Sequence, residues 1–151
     1  MGYLVQEAAS VSTLIDSLVC GNLVIALSDS RKVLLWKIPT ATKEYEEIKE
    51  FVTLGSITPD MPFEGLHLFH PSTYLNKVLI FDESNSMLLL NIHSQKIVYN
   101  FALLSAYLQK EKFSLGGPIV QSPIPDIVAL GLDKPVVLLW NLKQDALVMR
   151  L

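Results

Sequence analysis

The chain has 151 residues and a formal net charge of −3; 50% of its residues are hydrophobic and 18% are charged. Its 12 basic residues form no Lys or Arg run, so there is no electrostatic footprint for gripping a phosphate backbone and direct nucleic-acid binding is not expected. The single Cys20 excludes an internal disulfide and reads as a buried thiol in a reducing compartment.

No apolar run approaches the roughly 18 residues of a membrane helix, and the N-terminus lacks a basic region followed by an apolar stretch. Met1-Gly2 hints at myristoylation, but Gln6 stands where Ser or Thr is wanted. A soluble, intracellular protein is the expectation.

In chain order, the first apolar-periodic unit predicts an inner strand over 11–19, paired strands over 23–28 and 32–38, and an outer strand over 48–54. Asp29-Ser30-Arg31 is a turn by composition. Within the segment 43–52, Tyr45, Ile48 and Phe51 or Val52 have helical spacing, and Lys43 and Glu47 form an i,i+4 pair. The segment reads as a solvated excursion, with a partner-binding protrusion as the alternative.

The second unit predicts strands over 65–70, 77–82, 87–92 and 96–101, turning at Glu83-Ser84-Asn85-Ser86. A helix-compatible stretch over 102–112 follows, with Leu103, Leu104, Tyr107 and Leu108 on one side. Loops on a rigid scaffold often carry binding function, so these four side chains are the candidate partner contact.

The third unit predicts strands over 119–122, 126–132, 136–141 and 146–151, turning at Asp133-Lys134-Pro135. The chain ends on its outer strand, which reads as a boundary at a blade edge.

The three units are one pattern repeated. Trp36, Leu90 and Trp140 occupy equivalent places, 54 and then 50 residues apart. Strand-rich repetition at this period is the signature of propeller blades, because one small sheet cannot bury both faces and must stack on copies of itself. The expected fold is all-β, a propeller fragment of three four-stranded blades near 8–54, 62–101 and 114–151. Propellers close with about four to eight blades, so this ring is open and its bare apolar faces or edges should drive self-association. Trp36, Leu90 and Trp140 are assigned to blade packing, since a core accepts leucine in such a place and an aromatic stacking site does not.

No catalytic constellation emerges. There is no G-x-S-x-G elbow, Walker loop or G-x-G-x-x-G, and Gly116-Gly117-Pro118 lacks the Lys and helix that cradle phosphate. His67 and His70, three apart in a strand, point to opposite faces, and no Cys or carboxylate stands at zinc spacing. His93 reads as exposed; Asp82, Glu83 and Asp133 read as turn residues. Cys20 has no visible histidine partner. Neither a catalytic residue, a metal nor a cofactor is expected. An enzyme built on inner-strand residues would have mainly Asp16, His67 and His70 to draw on.

The repeat resembles WD-repeat blades. The segment His70-Pro71-Ser72-Thr73-Tyr74-Leu75-Asn76-Lys77, running on to Leu79, is similar to the U3 small nucleolar RNA-associated protein 21 family, also called the WD-repeat protein 36 family. The following Leu88-Leu-Leu-Asn-Ile, Lys96-Ile-Val-Tyr-Asn-Phe and Asp126-Ile-Val-Ala-Leu-Gly-Leu segments keep the family's order. The resemblance implies a non-catalytic scaffold in the nucleolus, part of the small-subunit processome that works with U3 ribonucleoprotein on the precursor of 18S ribosomal RNA. Its implied partners are other processome proteins, with RNA contacted indirectly.

The sequence departs from WD-repeat blades in reading Trp36-Lys37, Leu90-Asn91 and Trp140-Asn141 where Trp-Asp is usual, in Phe81-Asp82 before the hairpin turn, and in lacking the Gly-His pair. The usual Asp-His-Ser/Thr-Trp hydrogen-bond network is therefore not expected. The alternative function is a WD-repeat protein-interaction adaptor outside the nucleolus.

Overall fold

A computed structural model of the chain describes residues 14–21, 23–28, 33–37, 52–57, 67–81 and 85–151. The first sheet contains β1 (Leu14–Cys20), β2 (Leu23–Ser28), β3 (Val33–Lys37) and β4 (Val52–Ile57). The second contains β5 (His67–Phe69), β6 (Lys77–Phe81), β7 (Met87–Asn91) and β8 (Lys96–Asn100). After α1 (Ala102–Glu111), the third contains β9 (Leu115–Gln121), β10 (Ile127–Leu132), β11 (Val137–Asn141) and β12 (Ala146–Arg150). Each sheet is a meander in which neighbours in sequence are neighbours in space, and all pairs are antiparallel.

The middle blade shows why its strands are continuous apolar runs. Val78, Ile80, Leu88 and Leu90 pack with Ile25, Leu27, Val33 and Leu35 of the first blade. Leu79, Phe81 and Met87 pack with Val128, Leu130, Leu138 and Trp140 of the third. Both faces are covered, so every position of β6 after Lys77 is buried. The third blade has a described neighbour on one side, and burial alternates along β10 and β11. At about 1.5–3 kcal/mol per fully buried large aliphatic side chain, these two wedges dominate what holds the blades together.

A bulge recurs at one place in every sheet. The pairing of third and fourth strands shifts between Leu35 and Trp36, between Leu89 and Leu90, and between Leu139 and Trp140. An extra residue there raises the local twist and turns the outer strand across the blade. The turn that follows repeats too: Gln95 (φ 58°) and Asp145 (φ 48°) both take the left-handed conformation. The Asn91 carboxamide accepts from the His93 and Ser94 amides at 3.0 and 3.1 Å, and that of Asn141 accepts from Gln144 at 3.0 Å.

Several boundaries differ from the sequence reading. β9 begins at Leu115 rather than 119 and includes both glycines. The cause is a close approach: a Cβ on Gly117 would lie 2.8 Å from the Gly131 carbonyl carbon, and one on Gly131 would lie 3.0 Å from Pro118 Cδ. Gly116-Gly117-Pro118 is thus strand, fitted to a crossing of two backbones. β4 runs on to Ile57 rather than ending at 54, because it pairs with the five residues of β3, Lys37↔Val52 through Val33↔Ile57; 48–51 lie outside the described residues. β5 ends at Phe69, one residue before the expected 70, and 65–66 lie outside the described residues. The turn 29–31, the segment 43–51, Asp82, Glu83 and the Trp36 side chain lie outside the described residues.

Candidate functional site

Two constellations stand out, the loop that joins β5 to β6 and the junction where α1 meets the third blade. The loop, residues 70–76, is bonded to both neighbouring blades. Its first residue, His70, places Nε2 3.3 Å from Cys20 Sγ in the first blade and against the Tyr74 carbonyl. Cys20 Sγ also lies 3.7 Å from the Leu75 carbonyl, to which it donates. On the other side, the Ser72 amide donates to Gln121 Oε1 of the third blade at 3.0 Å. Within the loop, the Tyr74 amide donates to the Pro71 carbonyl at 3.0 Å, and the Asn76 carbonyl accepts from Ile92 at 2.8 Å.

Burial sorts these side chains. Pro71 is buried, and His70, Tyr74, Asn76 and Lys77 are intermediate. Ser72 and Thr73 are exposed, and Leu75 is 91% exposed. The Lys77 ammonium lies 5.8 Å from the centre of the Tyr74 ring. Burial, with a smaller contribution from the Asp126 charge, pushes the Tyr74 phenol up.

Cys20 therefore does have a histidine neighbour, contrary to the sequence reading; a fifty-residue separation hid it. The pair is not arranged as a nucleophile and base. Burial pushes the Cys20 thiol up rather than down, which disfavours the thiolate that attack requires. His70 Nε2 is shared with a backbone carbonyl rather than aimed at an open cleft. The pair is an interblade tie, and Asp16 makes a second, its Oδ2 accepting from the Leu68 amide at 2.8 Å.

At the other junction, Asp145 is 2% exposed and accepts three hydrogen bonds. Its Oδ1 receives Trp140 Nε1 at 3.0 Å; Oδ2 receives the Tyr99 hydroxyl at 2.9 Å and the Leu103 amide at 3.1 Å. The last bond caps α1, whose own N-cap Phe101 supplies no side-chain bond. A helix start leaves orphan N–H groups and a partial positive charge, both of which a carboxylate satisfies. The hydrogen bond to Asp145, then burial, pushes the Tyr99 phenol up.

Of the four helix residues singled out in the sequence, Leu104 and Leu108 are fully buried in the core between the second and third blades. Tyr107 is half-buried with its ring 5.8 Å from that of Trp140, and Leu103 is exposed. The helix uses its apolar side to close the outer end of this wedge, leaving Leu103 available for contact. At its far end Arg150 pairs with Glu111 at 3.2 Å and lies over Phe113. Leu90 and Trp140 lie in the two interblade cores.

His67 is exposed and stacks on Phe81 with centroids 5.1 Å apart; His93 is exposed in its turn. Asp133 Oδ1 accepts from the Ser114 amide at 2.9 Å. Among the described residues no three His, Cys, Asp or Glu side chains gather as a metal site, and no helix is long and apolar enough to cross a membrane. The sequence reading missed Asp145, Asn85 and Gln121, each of which joins elements distant in the chain. Asn85 donates to the Phe113 carbonyl at 2.8 Å and accepts from the Leu115 amide at 3.0 Å. For Asp145 a signal existed in its spacing of five from Trp140, matched by Leu90 and Gln95.

Comparison with known proteins gives the fold a name. No family model matches the chain. It is 28% identical over 130 residues to the U3 small nucleolar RNA-associated protein 21 homolog of Schizosaccharomyces pombe, covering 85% of this chain and 13% of that protein. It is 27% identical over 130 residues to human WD repeat-containing protein 36, covering 86% and 13%. The Saccharomyces cerevisiae U3 small nucleolar RNA-associated protein 21 is 26% identical over 126 residues. The chain spans 12–13% of the length of these relatives. Among solved structures, the WD40 β-propeller domain of Doa1 superposes with a TM-score of 0.60 at 11% identity, covering 95% of this chain and 42% of that one. U3-55K gives 0.60 at 11% identity, covering 95% and 40%. The fold is a partial WD40 β-propeller, and the sequence resembles the U3 small nucleolar RNA-associated protein 21 group.

Proposed function

We propose that the chain is part of a non-catalytic scaffold of the small-subunit processome, acting with U3 ribonucleoprotein in processing the precursor of 18S ribosomal RNA, in the nucleolus. The observation that carries this reading is 28% identity over 85% of the chain to a protein named for its association with U3 small nucleolar RNA. The geometry agrees with a mechanical role. The polar side chains most deeply placed are spent on tying blades together, Asp145 on Trp140, Tyr99 and Leu103, and Cys20 on His70. Among the described residues, the surface offers loop tips, the exposed Leu103 on α1 and sheet edges, the parts through which a rigid scaffold holds other proteins.

Affinity purification of the intact tagged protein from its own cells tests the reading. U3 RNA should be enriched well above other abundant small RNAs, and depletion of the protein should lower 18S relative to 28S-type rRNA. Equal recovery of U3 and unrelated RNA, with unchanged 18S levels, would sink it in favour of an adaptor acting elsewhere.

A further inference from the structure

We propose that the rim built from the β5–β6 and β9–β10 loops docks an acidic, apolar segment of a partner protein, with Leu75 as its anchor. This rests on the scaffold reading and names what that scaffold holds. Leu75 is 91% exposed, the highest value among the exposed large hydrophobic residues described. That exposure is not the by-product of a bare blade face, because Leu75 belongs to the middle blade. Its carbonyl meets Cys20 of the first blade at 3.7 Å, and the same loop meets Gln121 of the third through Ser72 at 3.0 Å. A backbone held on both sides presents the leucine without a large ordering cost on binding.

A second apolar tip stands on the adjacent loop. Ile124 is 58% exposed between the exposed Pro123 and Pro125. Its loop is fixed by the Ile124 amide on Ser122 Oγ at 3.0 Å and by the Ile127 amide on the Ile124 carbonyl at 3.3 Å. Two held apolar tips on neighbouring loops make a contact surface rather than a stray exposed side chain.

Among the described residues, lysines outnumber carboxylates around these tips. The protein carries −3 overall, yet this end of the sheets holds Lys77, Lys96 and Lys143. Lys77 and Lys96 both pair with Asn91, one from each side, and so share a face of the middle blade. Among the described residues, the carboxylates at this end are Asp126 and the buried Asp145, which is already engaged. Among the described residues no ion pair joins the three lysines to a carboxylate. Apolar tips flanked by uncompensated ammonium groups fit a segment carrying Leu, Ile or Phe among Asp and Glu. RNA is the poorer fit: among the described residues these loops offer no arginine, and their two rings are engaged, Tyr74 half-buried beneath Lys77 and His70 against Cys20 and the Tyr74 carbonyl.

The test uses the intact protein, purified from its own cells with a photoreactive benzophenone side chain at position 75. Because Leu75 is exposed, folding should be unchanged, which circular dichroism checks. The expected product is a cross-link to a protein peptide richer in Asp and Glu than in Lys and Arg. Its yield should fall about fivefold when Lys77→Glu and Lys143→Glu are introduced together, the loss of rim charge pairs of modest strength. A cross-link to RNA, one to a basic or uncharged segment, a yield indifferent to charge reversal, or no cross-link from a preparation that retains U3 RNA would each overturn the proposal. U3 RNA in the same preparation is scored separately: its absence counts against the scaffold reading, while the sequence of the cross-linked peptide still decides the rim.

Discussion

Trp140 and Asp145, at the two ends of one turn, are joined by a 3.0 Å hydrogen bond from the indole to the carboxylate. In the middle blade the same places hold Leu90 and Gln95. The indole needs an acceptor once it is buried at 2% exposure, and leucine needs none. The turn keeps its left-handed residue in both cases, with φ 58° at Gln95 and 48° at Asp145. The two blades thus solve one packing problem with two matched residue pairs, and the third blade adds helix capping to the arrangement.

Replacing Asp145 by alanine strands the buried indole and leaves a helix N–H uncapped, while the hydroxyl of the exposed Tyr99 turns to water. The expected cost is about 3 kcal/mol, the sum of a buried charged acceptor's bonds being only partly replaced by water. Asp145→Asn keeps an acceptor and tolerates the left-handed turn, so it should cost about 1 kcal/mol. Urea unfolding of both variants checks the order. The pair Trp140→Leu with Asp145→Gln, which copies the middle blade, should cost less than the two single changes added together; strict additivity would show that the pair is not coupled.

The repeat was legible because burial on both faces writes continuous apolar strands, and the spacing of Trp36, Leu90 and Trp140 marks the unit. The blade-to-blade ties were not legible, for a physical reason. His70 meets Cys20, and Asp145 meets Tyr99, across separations of 50 and 46 residues, and only the assembled stack brings them together. Helical periodicity over 102–112 correctly found α1, but it does not tell which of two apolar surroundings the leucines enter. Leu104 and Leu108 went into the core, and only Leu103 and part of Tyr107 remain for a partner.

The crossing of Gly117 and Gly131 gives a paired test. At Gly117 an added methyl would meet backbone at 2.8 Å, while at Gly116 the nearest atom would be 3.8 Å away. Gly117→Ala should therefore destabilise by about 2 kcal/mol through displacement of one strand from the other. Gly116→Ala should change stability by no more than about 0.5 kcal/mol. Thermal melts of the two variants suffice, and equal effects would show that the crossing is looser than these distances.

Alkaline pH should act on three groups in one direction. The Tyr99 phenol is raised by its bond to Asp145 and then by burial, the Tyr74 phenol by burial and then Asp126, and the Cys20 thiol by burial. Each holds its proton more tightly when folded, so its contribution is complete below the unfolded values, about 8.5 for the thiol and about 10 for the phenols. It is lost as pH climbs through the raised ones. The melting temperature should fall between about pH 9 and about pH 11, and Tyr99→Phe should flatten part of that fall. A melting temperature that rises across the window would reverse the sign of the linkage.

The third blade's second face decides how the isolated chain behaves. Val120 is 57% exposed, Val137 38% and Met149 50%. Register places Val120 opposite Ala129, Ala129 opposite Leu139, and Leu139 opposite Met149, and Val137, two residues before Leu139 on β11, shares that face by alternation. At about 25 cal/mol per Å² of apolar area, covering such a surface favours association strongly. The 151-residue chain should therefore give a light-scattering mass above that of a monomer, increasing with concentration. Val120→Lys with Met149→Lys should return it toward a monomer without loss of the melting transition, because neither side chain serves the wedge against the middle blade. If the unaltered chain stays monomeric at high concentration, the open face does not drive assembly, and partner binding must come from the rims alone.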